Sequence, residues 1–133
     1  MQQSTERTAA CSCGQLRITV SGDPVRISLC HCLACQRRTG SVFGMQARFR
    51  RAGAVVVGAS SEYRRTGDSG GVISFHFCPK CGATVHYALD AYPDLVAVPV
   101  GAFADPSFPQ PRFSVYEQRR HDWVLLPDDI ERD

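Results

Sequence analysis

Seven cysteines constrain this chain more than any other feature, because they fall into three tight groups. Cys11 and Cys13 form a C-x-C, Cys30, Cys32 and Cys35 a C-x-C-x-x-C, and Cys78 and Cys81 a C-x-x-C. Neither helix nor strand periodicity calls for three thiols so close together. The opening Met1-Gln2-Gln3-Ser4-Thr5-Glu6-Arg7 lacks the apolar core of a secretory signal, so a reducing, cytoplasmic setting is expected. Thiols there seldom form disulfides, and metal binding becomes the first reading. Seven cannot pair off completely, but they divide into four and three.

At 133 residues the chain makes one domain, large enough to bury roughly two-thirds of its unfolded surface. A hydrophobic content of 44% sets aside disorder, collagen and coiled coil. No apolar run nears the roughly 18 residues that would suggest a membrane span. The formal charge of +2 counts thiols as neutral, and seven thiolates on two zinc ions would turn the balance slightly negative. Neither nucleic acid nor membrane is therefore expected as a partner.

Residues 1–9 read as a flexible terminus, 10–127 as a single domain and 128–133 as a tail. Leu16, Ile18 and Val20 alternate with polar residues before the turn Ser21-Gly22-Asp23-Pro24, as in a half-buried strand. Val25, Ile27 and Leu29 predict a second strand that delivers the chain to Cys30, and residues 33–41 one helical turn ended by Gly40. Phe43, Met45, Ala47 and Phe49 alternate again, and Ala54 to Val57 reads as a short buried run. Ile73, Phe75 and Phe77 lead into Cys78, and Val85 and Tyr87 resume beyond Cys81, which puts that pair at a hairpin tip. Leu95 to Val100 is a further strand, followed by a Pro-rich loop and the apolar segments 113–116 and 123–126. No window of ten residues keeps a 3.6 period, so an all-β, mainly antiparallel domain is predicted.

Cys78-Pro79-Lys80-Cys81-Gly82 has the spacing of a zinc knuckle, a tight turn that aims two sulfurs at one point. Its N–H groups would bond the thiolates, and Gly82 tolerates the left-handed backbone such turns need. Cys11 and Cys13, sharing one face of an extended strand, would complete a closed four-cysteine site. That site would be structural, joining the first strand to a distant hairpin. The plain alternative is four buried thiols without metal. Cys30, Cys32 and Cys35 leave a tetrahedral zinc one ligand short, and an open position is characteristic of catalytic zinc. The alternatives for the trio are a second structural zinc completed by His31, His76, His86 or His121, an iron–sulfur cluster, or a redox C-x-x-C of Cys32 and Cys35. On a strand, the His31 ring would point away from a metal held by its neighbours.

Cys11-x-Cys13-Gly14, Cys30-His31-Cys32-x-x-Cys35 and Phe77-Cys78-Pro79-x-Cys81-Gly82 together resemble the glutathione-dependent formaldehyde-activating enzyme family, also called the centromere-protein-V-like family. Spacing, order and flanking residues match over about residues 10–126. The resemblance implies a β-tent of small antiparallel sheets stapled by zinc, with two zinc ions per chain. One would be structural, on Cys11, Cys13, Cys78 and Cys81, and the other catalytic, on Cys30, Cys32 and Cys35. The implied activity is of carbon–sulfur lyase type, forming S-(hydroxymethyl)glutathione from glutathione and formaldehyde or a related thiol and aldehyde. Two positions depart from the family pattern: many members carry histidine where Ser114 stands and arginine where His76 stands.

An anionic thiol needs cations or donors near the metal. Arg37, Arg38, Thr39 and Ser41 directly follow the trio and are the candidate substrate contacts, although a solvated arginine pair is the plainer reading of the first two. Trp123 matches the family's late tryptophan and fits either the core or the pocket wall, while His121 beside it reads as exposed. A zinc-stabilised β domain binding a protein partner is the non-enzymatic alternative. Nucleic-acid association through Arg48, Arg50, Arg51, Arg64 and Arg65 is a third. It is weakened because Arg48 and Arg50 flank Phe49, as on the wet face of a strand.

Overall fold

The structure, a computed structural model, describes residues 5–133. Its strands in chain order are β1 (Glu6–Ala10), β2 (Arg17–Ser21), β3 (Arg26–Cys30), β4 (Gly44–Arg50), β5 (Val55–Val57) and β6 (Ser61–Thr66). They continue with β7 (Val72–Phe77), β8 (Thr84–Leu89), β9 (Leu95–Pro99), β10 (Phe113–Val115) and β11 (Glu131–Arg132). One α-helix, α1 (Leu33–Thr39), joins β3 to β4. The predicted all-β, mainly antiparallel class is what forms. Instead of several small sheets, the strands make a three-stranded sheet, β1-β2-β5, and one of eight, β11-β10-β3-β4-β9-β8-β7-β6. Parallel pairing is confined to β10, which lies between β3 and β11.

The period-2 alternation sorts side chains onto two faces. Ile18 and Val20 of β2, Ala47 and Phe49 of β4 and Val96 and Val98 of β9 point into one core shared by the two sheets, and Val85 joins them where a register shift at His76/Phe77 interrupts the alternation along β8. Phe103 closes it, edge-on to Phe49 at 5.9 Å between ring centres. The opposite face of the large sheet presents Gln46 and Arg48 of β4, Phe75 of β7 and Tyr87 of β8, with Phe75 and Tyr87 5.0 Å apart. That second face is the wall of the candidate site.

Several expectations are corrected. Glu6–Ala10 is a strand and not a frayed end, because β2 offers it a full antiparallel partner and Ala9 reaches the core; residues 1–4 of the expected flexible terminus lie outside the described residues. The tail begun at 128 also folds back, with Ile130 buried and β11 paired to β10. Val55–Val57 is an exposed edge strand, Val55 and Val57 each 61% exposed, because β5 has only β2 beside it. The single helical turn extends to the seven residues of α1. Trp123 to Leu126 forms no strand; Val124 alone of these is buried.

Candidate active site

The cysteines divide as four and three in space. The sulfurs of Cys11, Cys13, Cys78 and Cys81 lie within 4.8 Å of one another, and so do those of Cys30, Cys32 and Cys35. In the first group Cys13 Sγ is 3.6 Å from both Cys11 Sγ and Cys78 Sγ. Sulfurs at the corners of a tetrahedron around zinc, each about 2.3 Å from the metal, stand about 3.8 Å apart, so the spacing fits that ion. Cys11 and Cys13 reach this point through a turn, closed by Gly14 N to Cys11 O at 3.0 Å, and not from one face of a strand as expected. Cys78 and Cys81 sit at the tip between β7 and β8 as predicted, with Gly82 at φ +80°.

Donors surround these sulfurs. Leu16 N donates to Cys11 Sγ at 3.3 Å, Lys80 N to Cys78 Sγ at 3.3 Å, and Gln15 Nε2 to Cys78 Sγ at 3.1 Å. Burial pushes the Cys78 thiol up, but the donors at Cys81, Gln15 and Lys80 outweigh it and bring it down to about 6. Gln15 also bridges to Ala59, accepting from its N at 2.9 Å, so one side chain links the cluster to the start of β6.

The trio is built differently. Cys30 ends β3, in register with Gly44 of β4 and Val115 of β10. Cys32 caps α1, its Sγ accepting from Cys35 N at 3.3 Å, and Cys35 lies one turn into the helix. Hydrogen bonds from Cys30, Cys32 and Arg38 hold the Cys35 thiol down to about 5, against the effect of burial. Cys30 is raised by its bond to Cys35 and by burial, and Cys32 chiefly by burial. Three thiolates packed this closely would repel one another, and a cation held among them would offset that repulsion. A Cβ at position 44 would stand 3.3 Å from Arg38 Nη2 and 3.7 Å from Cys35 Sγ, so Gly44 leaves the room in which both sit.

Cys30, Cys32 and Cys35 floor a cleft of about 560 Å³. Arg38, Arg48, Arg65 and Arg119 line it, with Asp68 and Asp90, and Phe75 and Tyr87 form an apolar wall. Arg38 lies over that wall, its guanidinium 5.0 Å from the Phe75 ring centre and 5.4 Å from that of Tyr87, and Arg65 approaches Phe75 to 5.6 Å. None of the other four cysteines lines the cleft.

Among the candidate substrate contacts, Arg38 alone lines this cleft. Arg37 borders an adjoining groove with Tyr63 and Thr84. Thr39 spends its hydroxyl on Cys35 O at 2.9 Å, and Ser41 N donates to Thr39 Oγ1 at 3.0 Å, so both close the helix end. Trp123 is 70% exposed and belongs neither to the core nor to the cleft wall; the turn at 122–123 carries it outward, with only His121 edge-on at 6.3 Å. His31 is fully buried, with Nε2 2.9 Å from Ser114 Oγ, and stands outside the sulfur cluster. Arg48, read from the sequence as on the wet face of a strand, and Arg65, named there only for nucleic-acid association, belong to the cleft. The signal was present in part: Arg48 shares the phase of Gln46, and both lie opposite the core face.

Among the described residues no helix is long and apolar enough to cross a membrane. No curated protein matches the chain. A crystal structure of a Rhodobacter sphaeroides protein is similar, with a TM-score of 0.56 at 24% identity, covering 71% of this chain and 85% of that one, which is a likeness of fold. The family model for glutathione-dependent formaldehyde-activating enzyme matches residues 6–119, a span that takes in both cysteine clusters and β10. The chain belongs to the glutathione-dependent formaldehyde-activating enzyme family.

Proposed function

We propose that this protein is a zinc-dependent enzyme of carbon–sulfur lyase type acting on a thiol–aldehyde adduct, with S-(hydroxymethyl)glutathione, made from glutathione and formaldehyde, as its leading product. Family membership supports the substrate pair. The observation that carries the reading is the convergence of three sulfurs on the floor of an arginine-lined cleft, with the four-cysteine cluster set apart from it. Cys11, Cys13, Cys78 and Cys81 would hold a structural zinc, and Cys30, Cys32 and Cys35 the catalytic one.

Cys30, Cys32 and Cys35 would hold a zinc whose chemistry would be to lower the pKa of an incoming thiol, so that it would be deprotonated near neutral pH. Addition then forms the S–C bond, opens the C=O π bond and leaves the thiol's proton on the new hydroxyl. The Arg38 guanidinium lies beside Cys35 and would offset part of the negative charge that three thiolates bring. Arg48, Arg65 and Arg119 present guanidinium forks to carboxylates of the incoming thiol. Phe75 and Tyr87 give its chain an apolar wall. Burial holds the Tyr87 hydroxyl well above the ordinary phenol range, so it stays protonated and adds no charge.

Reduced, purified protein should contain close to two zinc ions per chain. Exchange spectroscopy should then find glutathione and formaldehyde interconverting with their adduct faster with the protein than without it. A metal content near one, or an exchange rate that the protein leaves unchanged, would overturn the reading.

A further inference from the structure

The residue between the first two trio cysteines is anchored at every polar group it has except one. His31 N donates to Val115 O at 3.1 Å. His31 O accepts from Gln36 Nε2 at 2.8 Å, and that same amide nitrogen donates to Arg119 O at 3.2 Å. The ring's Nε2 meets Ser114 Oγ at 2.9 Å and lies 3.4 Å from Glu117 Oε2. Ser114 gives its hydroxyl proton to Glu117, so its lone pair accepts Nε2–H of His31. Nδ1 is buried without a partner among the described residues, which makes Ser114 and Glu117 the only polar ties of a fully buried ring.

The Ser114–Glu117 segment is braced in turn. Tyr116 takes the left-handed conformation, φ +56° and ψ +46°, and this turns the chain so that Glu117 faces back toward Ser114. Glu117 Oε1 accepts from Arg132 Nη1 at 2.9 Å and lies 3.5 Å from Arg120 Nε. Asp133 N donates to Ser114 O at 2.8 Å and Glu117 N to Asp133 O at 3.1 Å, continuing the parallel pairing of β10 with β11. One continuous chain of bonds therefore runs from Arg132 through Glu117 and Ser114 to His31.

We infer that His31, Ser114 and Glu117 are positioning residues which fix the Cys30–Cys32 backbone so that the trio's sulfurs converge, with the Glu131–Asp133 strand as their outer brace. The inference rests on the trio being a metal site and deepens that reading. Nothing in this network touches the four-cysteine cluster, so its effect must be confined to one metal. A buried ring that loses Ser114 keeps only the longer, 3.4 Å approach of Glu117, its donor is poorly satisfied, and the loop carrying two ligands is free to shift. Loss of supporting hydrogen bonds behind metal ligands typically weakens binding by about 10–100-fold.

The test is metal affinity by chelator competition, with cobalt(II) absorption as the second readout and the Cys32→Ser spectrum subtracted to isolate the trio. Ser114→Ala should weaken metal at the trio by about 10–100-fold and alter its cobalt bands, leaving the four-cysteine site unchanged. Ser114→Thr, which keeps the hydroxyl, should restore affinity to within a few-fold. Arg132→Ala, at a half-exposed position that leaves the buried network in place, should give a smaller shift in the same direction. Ser114→Ala with unmoved trio affinity and bands, or with both sites weakened equally, would overturn this inference while leaving the proposed function standing. If the unaltered protein binds metal only at the four-cysteine site, both fall together.

Discussion

Replacing Cys13 by serine separates the two clusters energetically. Cys13 and Cys78 are 65 residues apart, and a metal held between them would act as a cross-link across that loop. The chain-entropy relation for a loop of that length gives about 4 kcal/mol at 25 °C. Domains of this kind hold only about 5–15 kcal/mol in total, so the loss is a large share. Cys30 and Cys35 are five residues apart, and the same relation gives about 2 kcal/mol, an upper limit because α1 already closes most of that turn. In urea, with a slope of roughly 2 kcal/mol per molar, Cys13→Ser should lower the midpoint by about 2 M and Cys32→Ser by about 1 M or less. Each variant should lose one zinc of two, measured in the same samples, and chelator-treated parent protein should melt near Cys13→Ser. Equal midpoint shifts for the two variants, or a Cys13→Ser shift below that of Cys32→Ser, would refute the assignment of a staple to one cluster and an open site to the other.

Four further outcomes follow from particular contacts. Gly58→Ala places a Cβ 2.0 Å from Gln15 O at a φ of +105°, so a loss of about 3 kcal/mol or more is expected in denaturant melts, with weaker metal retention at the four-cysteine cluster that Gln15 supports. Trp123→Ala should change stability by no more than about 0.5 kcal/mol and leave adduct exchange intact, since the ring is mostly in solvent; a large loss of exchange would restore it to the site. Arg48→Gln should raise KM for glutathione about tenfold or more with kcat little changed, and should matter far less for an uncharged thiol. Burial raises the Glu117 carboxyl, but Ser114 and Arg132 outweigh it and hold it below the ordinary carboxylate value. Its stabilising effect is therefore complete above that ordinary value and disappears as pH falls through the folded one, so stability measured from pH 7 to pH 3 should fall less steeply in Glu117→Gln.

What was legible in the sequence was whatever depends on spacing along one element. The C-x-x-C hairpin tip, the core phase of Ile18, Val20, Ala47 and Phe49, and the grouping of cysteines are local patterns, and they reappear in the structure. What failed depends on which strand lies beside which. Val55–Val57 reads as buried because three β-branched residues usually are, yet β5 has only β2 as a neighbour and its valines stay in solvent. Glu6–Ala10 reads as frayed because nothing in those residues announces the antiparallel partner that β2 provides. Arg37, Thr39 and Ser41 are near the trio along the chain, whereas the cleft is walled by β4, β6, β7 and β8, which no sequence distance reveals.

The placement of those strands also accounts for the different roles proposed for two clusters of the same ligand chemistry. The four-cysteine cluster lies between the first turn and a hairpin tip, where Leu16 N, Lys80 N and Gln15 Nε2 already meet its sulfurs; four ligands would close the coordination of a zinc held there and leave a substrate no position. The trio lies where β3 passes into α1, beneath a cleft that carries four arginines and two aspartates. Three thiolates on a divalent cation would leave one negative charge, which the Arg38 guanidinium beside Cys35 would offset. Arg48, Arg65 and Arg119 exceed Asp68 and Asp90 by one positive charge, so under the proposed function the cleft would favour an anionic thiol even with its floor fully ionised. Without Arg38 beside Cys35 that surplus would vanish. On the proposed reading, the arginine next to the trio in sequence serves the metal ligands, and the arginines distant in sequence are left for substrate.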